Sequence, residues 1–164
     1  MSYVDTSVIV VALEPSDPRS RKARQSLDLT QTKIVSELVL AELANVIGRR
    51  QQTLSRIIST LGKSWPITTT AIILYILKRF NLKYISTKGY IRLHFGEYYK
   101  PLGYSISLAG KLKLKTLDLL HLSYIKAMKN LGIQINTLLT ADTDFIKNKE
   151  DIQETIGVII RPII

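Results

Sequence analysis

The sequence Thr140-Ala141-Asp142-Thr143-Asp144 follows an apolar run at residues 133–139, which Gly132 precedes. A short apolar run that ends in a polar turn is typical of a buried strand. Apolar residues return at positions 145–146, which predicts a short helix after Asp142. The acids therefore lie at the carboxyl end of a strand, and in open α/β sheets this is the edge where ligands bind.

The start of the chain repeats this pattern. Tyr3-Val4 leads into Asp5-Thr6-Ser7, and an apolar stretch at residues 8–13 follows. Each of these two predicted strands ends in an aspartate. Because the carboxyl ends of parallel strands share one edge of a sheet, we expect the two carboxylates to lie close together.

Length and composition predict one globular domain over residues 1–164. The chain has 164 residues, of which 46% are apolar, and it has no cysteine, which excludes disulfides and thiolate metal sites. No signal peptide or membrane-spanning stretch is evident, so we expect a cytoplasmic protein without a membrane role. The net charge of +10 favours a polyanionic partner, although a generically basic surface is an equal alternative at this point.

Strands are expected to alternate with helices along the chain. Trp65-Pro66 is expected to form a turn, residues 110–115 a basic turn, and Gly62 the end of a long helix. The predicted strands cover residues 1–4, 33–35, 82–86, 133–139 and 157–160. The predicted helices cover residues 6–13, 18–29 (capped by Ser16 or Asp17), 37–61, 67–80, 90–109 (with a possible break at residues 101–103), 116–130 and a short segment after Asp142. This alternation predicts an α/β fold: a three-layer α/β/α sandwich around a mainly parallel sheet of four or five strands.

Four acids are candidate site residues, and a fifth, Asp144, is an additional candidate. Asp5 and Asp142 could instead be simple N-caps. Asp118 could lie in the first turn of its helix only because the helix dipole favours a negative charge there. Glu42 lies among apolar residues, where a carboxylate needs a paired cation or a salt bridge.

Together, these carboxylates would repel one another unless a cation neutralised them. Oxygen ligands without cysteine suit Mg²⁺ or Mn²⁺. Such a cation can also activate water and bind phosphate oxygens. Basic surroundings would hold the remaining phosphates of a nucleic acid, so an acidic centre in a basic protein is the charge distribution of a metal-dependent nuclease.

The sequence resembles the PIN domain family, which includes the VapC-type toxin ribonucleases. Four segments in matching order carry the resemblance: Tyr3-Val4-Asp5-Thr6-Ser7, Ser36-Glu37-Leu38-Val39-Leu40-Ala41-Glu42-Leu43, Leu117-Asp118-Leu119-Leu120-His121-Leu122 and Leu138-Leu139-Thr140-Ala141-Asp142-Thr143-Asp144-Phe145. The resemblance implies a Rossmann-like sandwich, a Mg²⁺ or Mn²⁺ centre and endoribonuclease activity.

The resemblance also implies roles for individual residues. It maps the catalytic, metal-binding acids onto Asp5, Glu42, Asp118 and Asp142. Asp144 matches a more variable acidic position and is a further candidate ligand. Polar positions that line such sites correspond to Thr6, Ser36 and Thr140. Residues 51–115 match only in general helical character, so no residue is carried over from them.

Other side chains have a weaker claim to the site. His121 follows Asp118 by three residues, so both could share one helix face, but a structural histidine is the preferred interpretation. The lysines that precede the Asp118 helix are the preferred phosphate contacts: Lys111, Lys113 and Lys115.

The sequence therefore predicts a metal-dependent endoribonuclease that leaves 5′-phosphate and 3′-hydroxyl ends on RNA. The resemblance implies a toxin with a small antitoxin partner, and a homodimer. The main alternative is a non-catalytic PIN-like domain that binds RNA or assembles complexes in RNA processing. A membrane-surface protein is a poorer third, because no strongly basic amphipathic helix is evident.

Overall fold

The described residues form a central sheet of parallel strands. The computed structural model describes residues 1–50 and 64–164. The strands are β1 Ser2–Val4, β2 Lys33–Val35, β3 Leu82–Tyr84, β4 Tyr90–Leu93, β5 Gly96–Tyr99, β6 Thr137–Thr140 and β7 Ile159–Pro162. Five of them pair in parallel in the order β3-β2-β1-β6-β7, and β4 and β5 form a separate antiparallel hairpin. The predicted parallel sheet of four or five strands is confirmed.

Helices cover the sheet in two groups. Their bounds are α1 Thr6–Leu13, α2 Ser20–Leu29, α3 Glu37–Arg49, α4 Trp65–Arg79, α5 Lys100–Ala109, α6 Thr116–Asn130, α7 Thr143–Lys147 and α8 Lys149–Ile156. α1 contacts α2 and α3, and α3 contacts α4, whereas α6 contacts α5 and α8. Right-handed crossovers place these two groups on opposite faces of the sheet, as the predicted sandwich requires. Within the described ranges, no helix is both long enough and apolar enough to cross a membrane.

β1 lies at the centre of the sheet and fixes the position of the site. Tyr3 pairs with Ile34 of β2 and with Leu138 of β6, and all three side chains are buried. Val4 pairs with Leu139 in the same register. Asp5 and Thr140 come next after this pair along β1 and β6, so they lie side by side at the carboxyl edge of the sheet.

The prediction of a helix over residues 90–109 is wrong for its first half. Residues 90–99 form the hairpin of β4 and β5, and the helix begins only at Lys100. Directly after the turn, Gly96 adopts a φ of +143°, a backbone conformation that residues with a side chain rarely adopt. α5 then packs so closely on the hairpin that a Cβ at Gly103 would lie 2.1 Å from Cγ2 of Ile91.

Other boundaries also differ from the predicted ones. Trp65-Pro66 is the first turn of α4, where proline is well tolerated, and not a separate turn. α2 begins at Ser20, later than the predicted cap implies. α3 ends at Arg49, and the rest of that predicted helix, with its end at Gly62, lies outside the described residues. α8 was not predicted as a separate helix, and β7 begins two residues after the predicted start.

Candidate metal centre

Four acids converge on one cleft at the carboxyl edge of the sheet. Asp5 follows β1, Asp142 follows β6, Glu42 lies on α3, and Asp118 lies in the first turn of α6. All four line a cleft of about 660 Å³. The topology therefore brings together side chains that are up to 137 residues apart in the sequence.

Asp5 is fixed by hydrogen bonds to both of its oxygens. Its Oδ2 accepts hydrogen bonds from Thr140 Oγ1 at 2.8 Å and from the Ser7 hydroxyl. Its Oδ1 caps α1 through the Ser7 amide at 3.4 Å. Asp5 is therefore a helix cap and also one wall of the cleft, so the capping alternative does not exclude a role in the site.

Asp142 is connected to Asp5 through one hydroxyl. Thr140 Oγ1, which donates to Asp5, also accepts a hydrogen bond from the Asp142 amide at 3.0 Å. The carboxylate of Asp142 caps α7 by accepting from the Asp144 amide at 2.8 Å. The buried hydroxyl of Thr140 thus fixes the spacing between the two aspartates.

Glu42 is half-buried and has two hydrogen-bond donors. Thr6 Oγ1 donates a short hydrogen bond to Glu42 Oε2, and Nε2 of His121 lies 3.0 Å from the same oxygen. Burial alone would raise the pKa of Glu42, but the hydrogen bonds and the charge of His121 outweigh it and hold this pKa below its usual value. The anionic form of Glu42 is therefore favoured.

Asp118 is the least satisfied acid of the site. The residue is 8% exposed, and its Oδ2 has no hydrogen-bond partner within residues 1–50 and 64–164. Burial, and then the nearby charges of Asp142 and Asp5, raise the pKa of Asp118 to about 6. A buried carboxylate oxygen without a donor, facing other carboxylates, fits a bound cation.

The preferred interpretation of the sequence, a structural histidine, missed the place of His121 in the site. It is 2% exposed and lies within hydrogen-bonding distance of two acids: its Nε2 is 3.3 Å from Asp5 Oδ1 and 3.0 Å from Glu42 Oε2. Burial would lower its pKa, but Asp5 and then Glu42 raise it on balance. In the described part of the chain, Asp5, Glu42 and His121 form a group whose ligand atoms lie within 4.8 Å of one another. The three-residue spacing from Asp118 was the only sequence signal for this position.

Asp144 is held by lysines at the edge of the site. Its Oδ2 lies 2.7 Å from Lys115 Nζ, and its Oδ1 lies 3.6 Å from Lys147 Nζ. The Lys115 ammonium holds the pKa of Asp144 below its usual range. Of the three lysines expected to bind RNA, Lys115 lines the cleft, whereas Lys111 lines a separate groove and Lys113 is exposed elsewhere.

The last two expected polar residues differ in how they meet the site: Thr6 lines the cleft, whereas Ser36 contacts the site only through Tyr3. Thr6 donates to Glu42, as described above. Ser36 is fully buried and pairs with the Tyr3 hydroxyl at 2.7 Å, and that hydroxyl lies 2.9 Å from His121 Nδ1.

Basic side chains lie at the rim of the acidic cleft. Arg19 is held by Asp17, with Nε to Oδ1 at 3.0 Å and Nη2 to Oδ2 at 2.8 Å. Its Nη1 donates to the Ala141 carbonyl at 3.3 Å, next to Asp142. Arg49 and Lys115 also line the cleft. The cleft therefore has an acidic floor and a basic rim, an arrangement suited to a cation and a phosphate chain.

The protein belongs to the PIN domain family, whose sequence profile matches residues 2–151. No curated protein matches the chain significantly.

Solved structures show the same fold. VapBC2 of Rickettsia felis, solved bound to a DNA fragment of its promoter, is similar with a TM-score of 0.56 and 19% identity, over 99% of this chain and 98% of that one. VapC20 of Mycobacterium tuberculosis, a toxin that cleaves the sarcin–ricin loop, is similar with a TM-score of 0.56 and 16% identity, over 90% and 94%. FitAcB of Neisseria gonorrhoeae is similar with a TM-score of 0.56 and 15% identity, over 99% and 98%.

Proposed function

We propose that this PIN domain protein is a divalent-metal-dependent endoribonuclease. The observation that carries the proposal is the cleft itself: four carboxylates share one acidic floor, and one of their buried oxygens has no donor among residues 1–50 and 64–164. Membership of the PIN domain family supports it. The basic rim supports a phosphate-containing polymer as the substrate.

The metal would be held by Asp5, Glu42, Asp118 and Asp142, and Mg²⁺ or Mn²⁺ fits their oxygens. When bound, such a cation activates water for attack on phosphorus and stabilises the negative charge that develops on the phosphate. The role of Asp144 is peripheral in this proposal, because its ion pairs with Lys115 and Lys147 already satisfy it.

The protein's own residues would position the substrate. Thr140, Ser7 and Thr6 hold Asp5 and Glu42 in place before any ligand arrives, which removes part of the reorganisation cost. Arg19 and Lys115 at the rim would bind phosphates that flank the scissile one. Attack by water, without participation of the 2′-hydroxyl, would leave a 5′-phosphate and a 3′-hydroxyl.

A toxin role is part of the proposal. Structures similar in fold include toxin–antitoxin complexes, among them one from Klebsiella pneumoniae with a TM-score of 0.53 and 17% identity. We therefore propose a small antitoxin protein as partner. Expression of the wild type should arrest growth, and Asp5→Asn should relieve the arrest.

A homodimer is also proposed, because α4 exposes the apolar side chains of Ile67, Leu74 and Tyr75. Light scattering of the purified protein tests the homodimer.

Cleavage of a mixed single-stranded RNA pool tests the nuclease activity. The wild type should cut with Mg²⁺ or Mn²⁺ and stop cutting with a chelator, and Asp5→Asn should be inactive under all conditions. Asp151→Asn is the matched control, because Asp151 is an exposed acid on α8. Cutting that survives both the chelator and Asp5→Asn would refute the proposal, and fragment ends carrying a 2′,3′-cyclic phosphate would refute the attack by water.

A further inference from the structure

His121 is buried within the acid cluster at a place where a metal ligand would lie. Its ring is held edge-to-face by Tyr3, with centroids 5.8 Å apart, and by Phe145, with centroids 6.4 Å apart. Its Nε2 points at the carboxylates of Asp5 and Glu42. The ring has little freedom to turn away, so this nitrogen is a permanent part of the cleft.

The distances around Nε2 match those between neighbouring ligands of one cation. Metal–ligand bonds of roughly 2.1 Å at right angles place adjacent ligand atoms about 3.0 Å apart. Nε2 of His121 lies 3.0 Å from Glu42 Oε2 and 3.3 Å from Asp5 Oδ1. The three atoms can therefore share a cation with almost no movement of the side chains.

The opposite nitrogen of the ring has the partner that a metal-binding histidine needs. A coordinating imidazole usually donates its other N–H to a fixed acceptor, which sets the tautomer and the ring orientation. Nδ1 of His121 lies 2.9 Å from the buried Tyr3 hydroxyl, which lies 2.7 Å from Ser36 Oγ. Tyr3 can accept from Nδ1 and donate to Ser36, so both hydrogen bonds on this side of the ring stay satisfied when Nε2 has no proton.

A second observation indicates a ligand at this place. Asp118 is on the same face of α6 as His121 and lines the same cleft. Its Oδ2 is buried and has no donor among the described residues. Hydrogen bonding between His121 and its two acids leaves this oxygen unsatisfied, whereas a cation bound in the same cleft offers it a partner. Asp118 lies outside the group of ligand atoms that are within 4.8 Å of one another, so its contact with a cation held by that group needs a shift of its side chain.

We propose that His121 is a nitrogen ligand of the metal centre, so that the site prefers a transition-metal ion such as Mn²⁺ to Mg²⁺. This inference rests on the proposed metal-dependent function. Imidazole binds first-row transition ions much better than it binds Mg²⁺, which strongly prefers oxygen ligands. Replacing one oxygen of an all-oxygen site by this nitrogen shifts the selectivity towards the transition metal.

Pulsed EPR of the Mn²⁺-loaded protein, without an affinity tag, tests the ligand directly. The chain has two histidines, so a ¹⁴N coupling on Mn²⁺ can be assigned with two variants. The wild type and the control His94→Gln, in which the changed residue lies exposed on the hairpin turn, should both show the coupling. His121→Gln should lose it.

Calorimetric titration separates a ligand from a mere hydrogen-bond donor. The amide of His121→Gln can still donate to Glu42 but offers no nitrogen lone pair, so it should weaken Mn²⁺ binding by about tenfold or more while changing Mg²⁺ binding much less. Tyr3→Phe removes the acceptor for Nδ1 and should weaken Mn²⁺ binding about tenfold.

The outcomes distinguish this inference from the proposed function. Bound Mn²⁺ without a nitrogen coupling, or unchanged Mn²⁺ affinity in His121→Gln, would overturn the histidine ligand and leave the nuclease proposal intact. If neither ion binds the wild type and no metal-dependent cleavage occurs, both proposals fail.

Discussion

Replacement of Asp118 by asparagine is expected to stabilise the metal-free protein while it weakens metal binding. Burial raises the pKa of Asp118 from 3.8 to about 6. The folded protein therefore holds the proton of the Asp118 carboxyl group more tightly than the unfolded chain does. The charged form therefore opposes folding. A pKa difference of this size corresponds to about 3 kcal/mol, and we expect about 1–3 kcal/mol because the cleft is open to solvent.

The pH dependence follows from the sign of this shift. Well below pH 4 the carboxyl group is protonated in both states, so it imposes no penalty. The penalty grows as the pH rises from about 4 to about 6, and above that it is complete. Asparagine has nearly the same shape and carries no charge, so the variant escapes the penalty. Its advantage in stability should be fully present at pH 7.5 and mostly lost at pH 4.

Urea unfolding with a chelator, at pH 7.5 and at pH 4, measures the effect. Asp118→Asn should be more stable than the wild type at the higher pH, and the exposed-site control Asp151→Asn should not differ from it. Saturating Mn²⁺ should then stabilise the wild type more than the variant, because the cation needs the carboxylate. A variant that is less stable at pH 7.5 without metal, or a difference that is the same at both pH values, would refute the reasoning.

Three further substitutions test other contacts of the structure. Gly103→Ala should lower the free energy of unfolding by about 1–2 kcal/mol, because overpacking against Ile91 outweighs the better helix propensity of alanine, and urea unfolding measures this. Arg19→Gln should weaken binding of single-stranded RNA about tenfold in the non-cleaving Asp5→Asn background, and should reduce the slope of log affinity against log salt by roughly 0.7. Thr140→Val should lower the free energy of unfolding by about 1–3 kcal/mol, because the buried Asp5 oxygen loses a donor.

Matched controls accompany each of these changes. Gly110→Ala introduces a methyl group with nothing within 4 Å and should not destabilise the protein. Arg21→Gln removes a charge that lines a different groove, so RNA affinity should stay near the wild-type value. Thr137→Val changes a half-buried position at the start of β6 and should cost little. Equal effects in a test variant and its control would show that the named contact is not the cause.

The strands and the acids were predictable because their signals are local. Each buried strand is a short apolar run. Asp5 directly follows one of these runs, and Asp142 follows another after Thr140 and Ala141. Parallel pairing then brings the ends of the strands together without any further information. For the same reason the sandwich, and the position of both acids at its carboxyl edge, could be predicted from the sequence.

The hairpin and the histidine were missed because tertiary contacts decide them. Residues 90–99 are compatible with helix or strand. The hairpin is fixed by Tyr99, whose hydroxyl lies 3.0 Å from the Thr87 carbonyl and 3.3 Å from Glu37 Oε1, so it can donate to either acceptor. His121 depends on Tyr3, 118 residues away in the sequence. Spacing within one helix can show which residues share a face, but it cannot show what that face meets.

The central place of β1 has a consequence for the synthesis of the protein. Asp5 leaves the ribosome well before its partner Thr140 and the neighbouring Asp142, which come 135 and 137 residues later. Until β6 is made, β1 lacks one of its two neighbours and the acidic floor lacks one wall. A nascent chain therefore carries no assembled centre. For the proposed nuclease, this order of assembly keeps the activity latent until β6 and Asp142 have been synthesised.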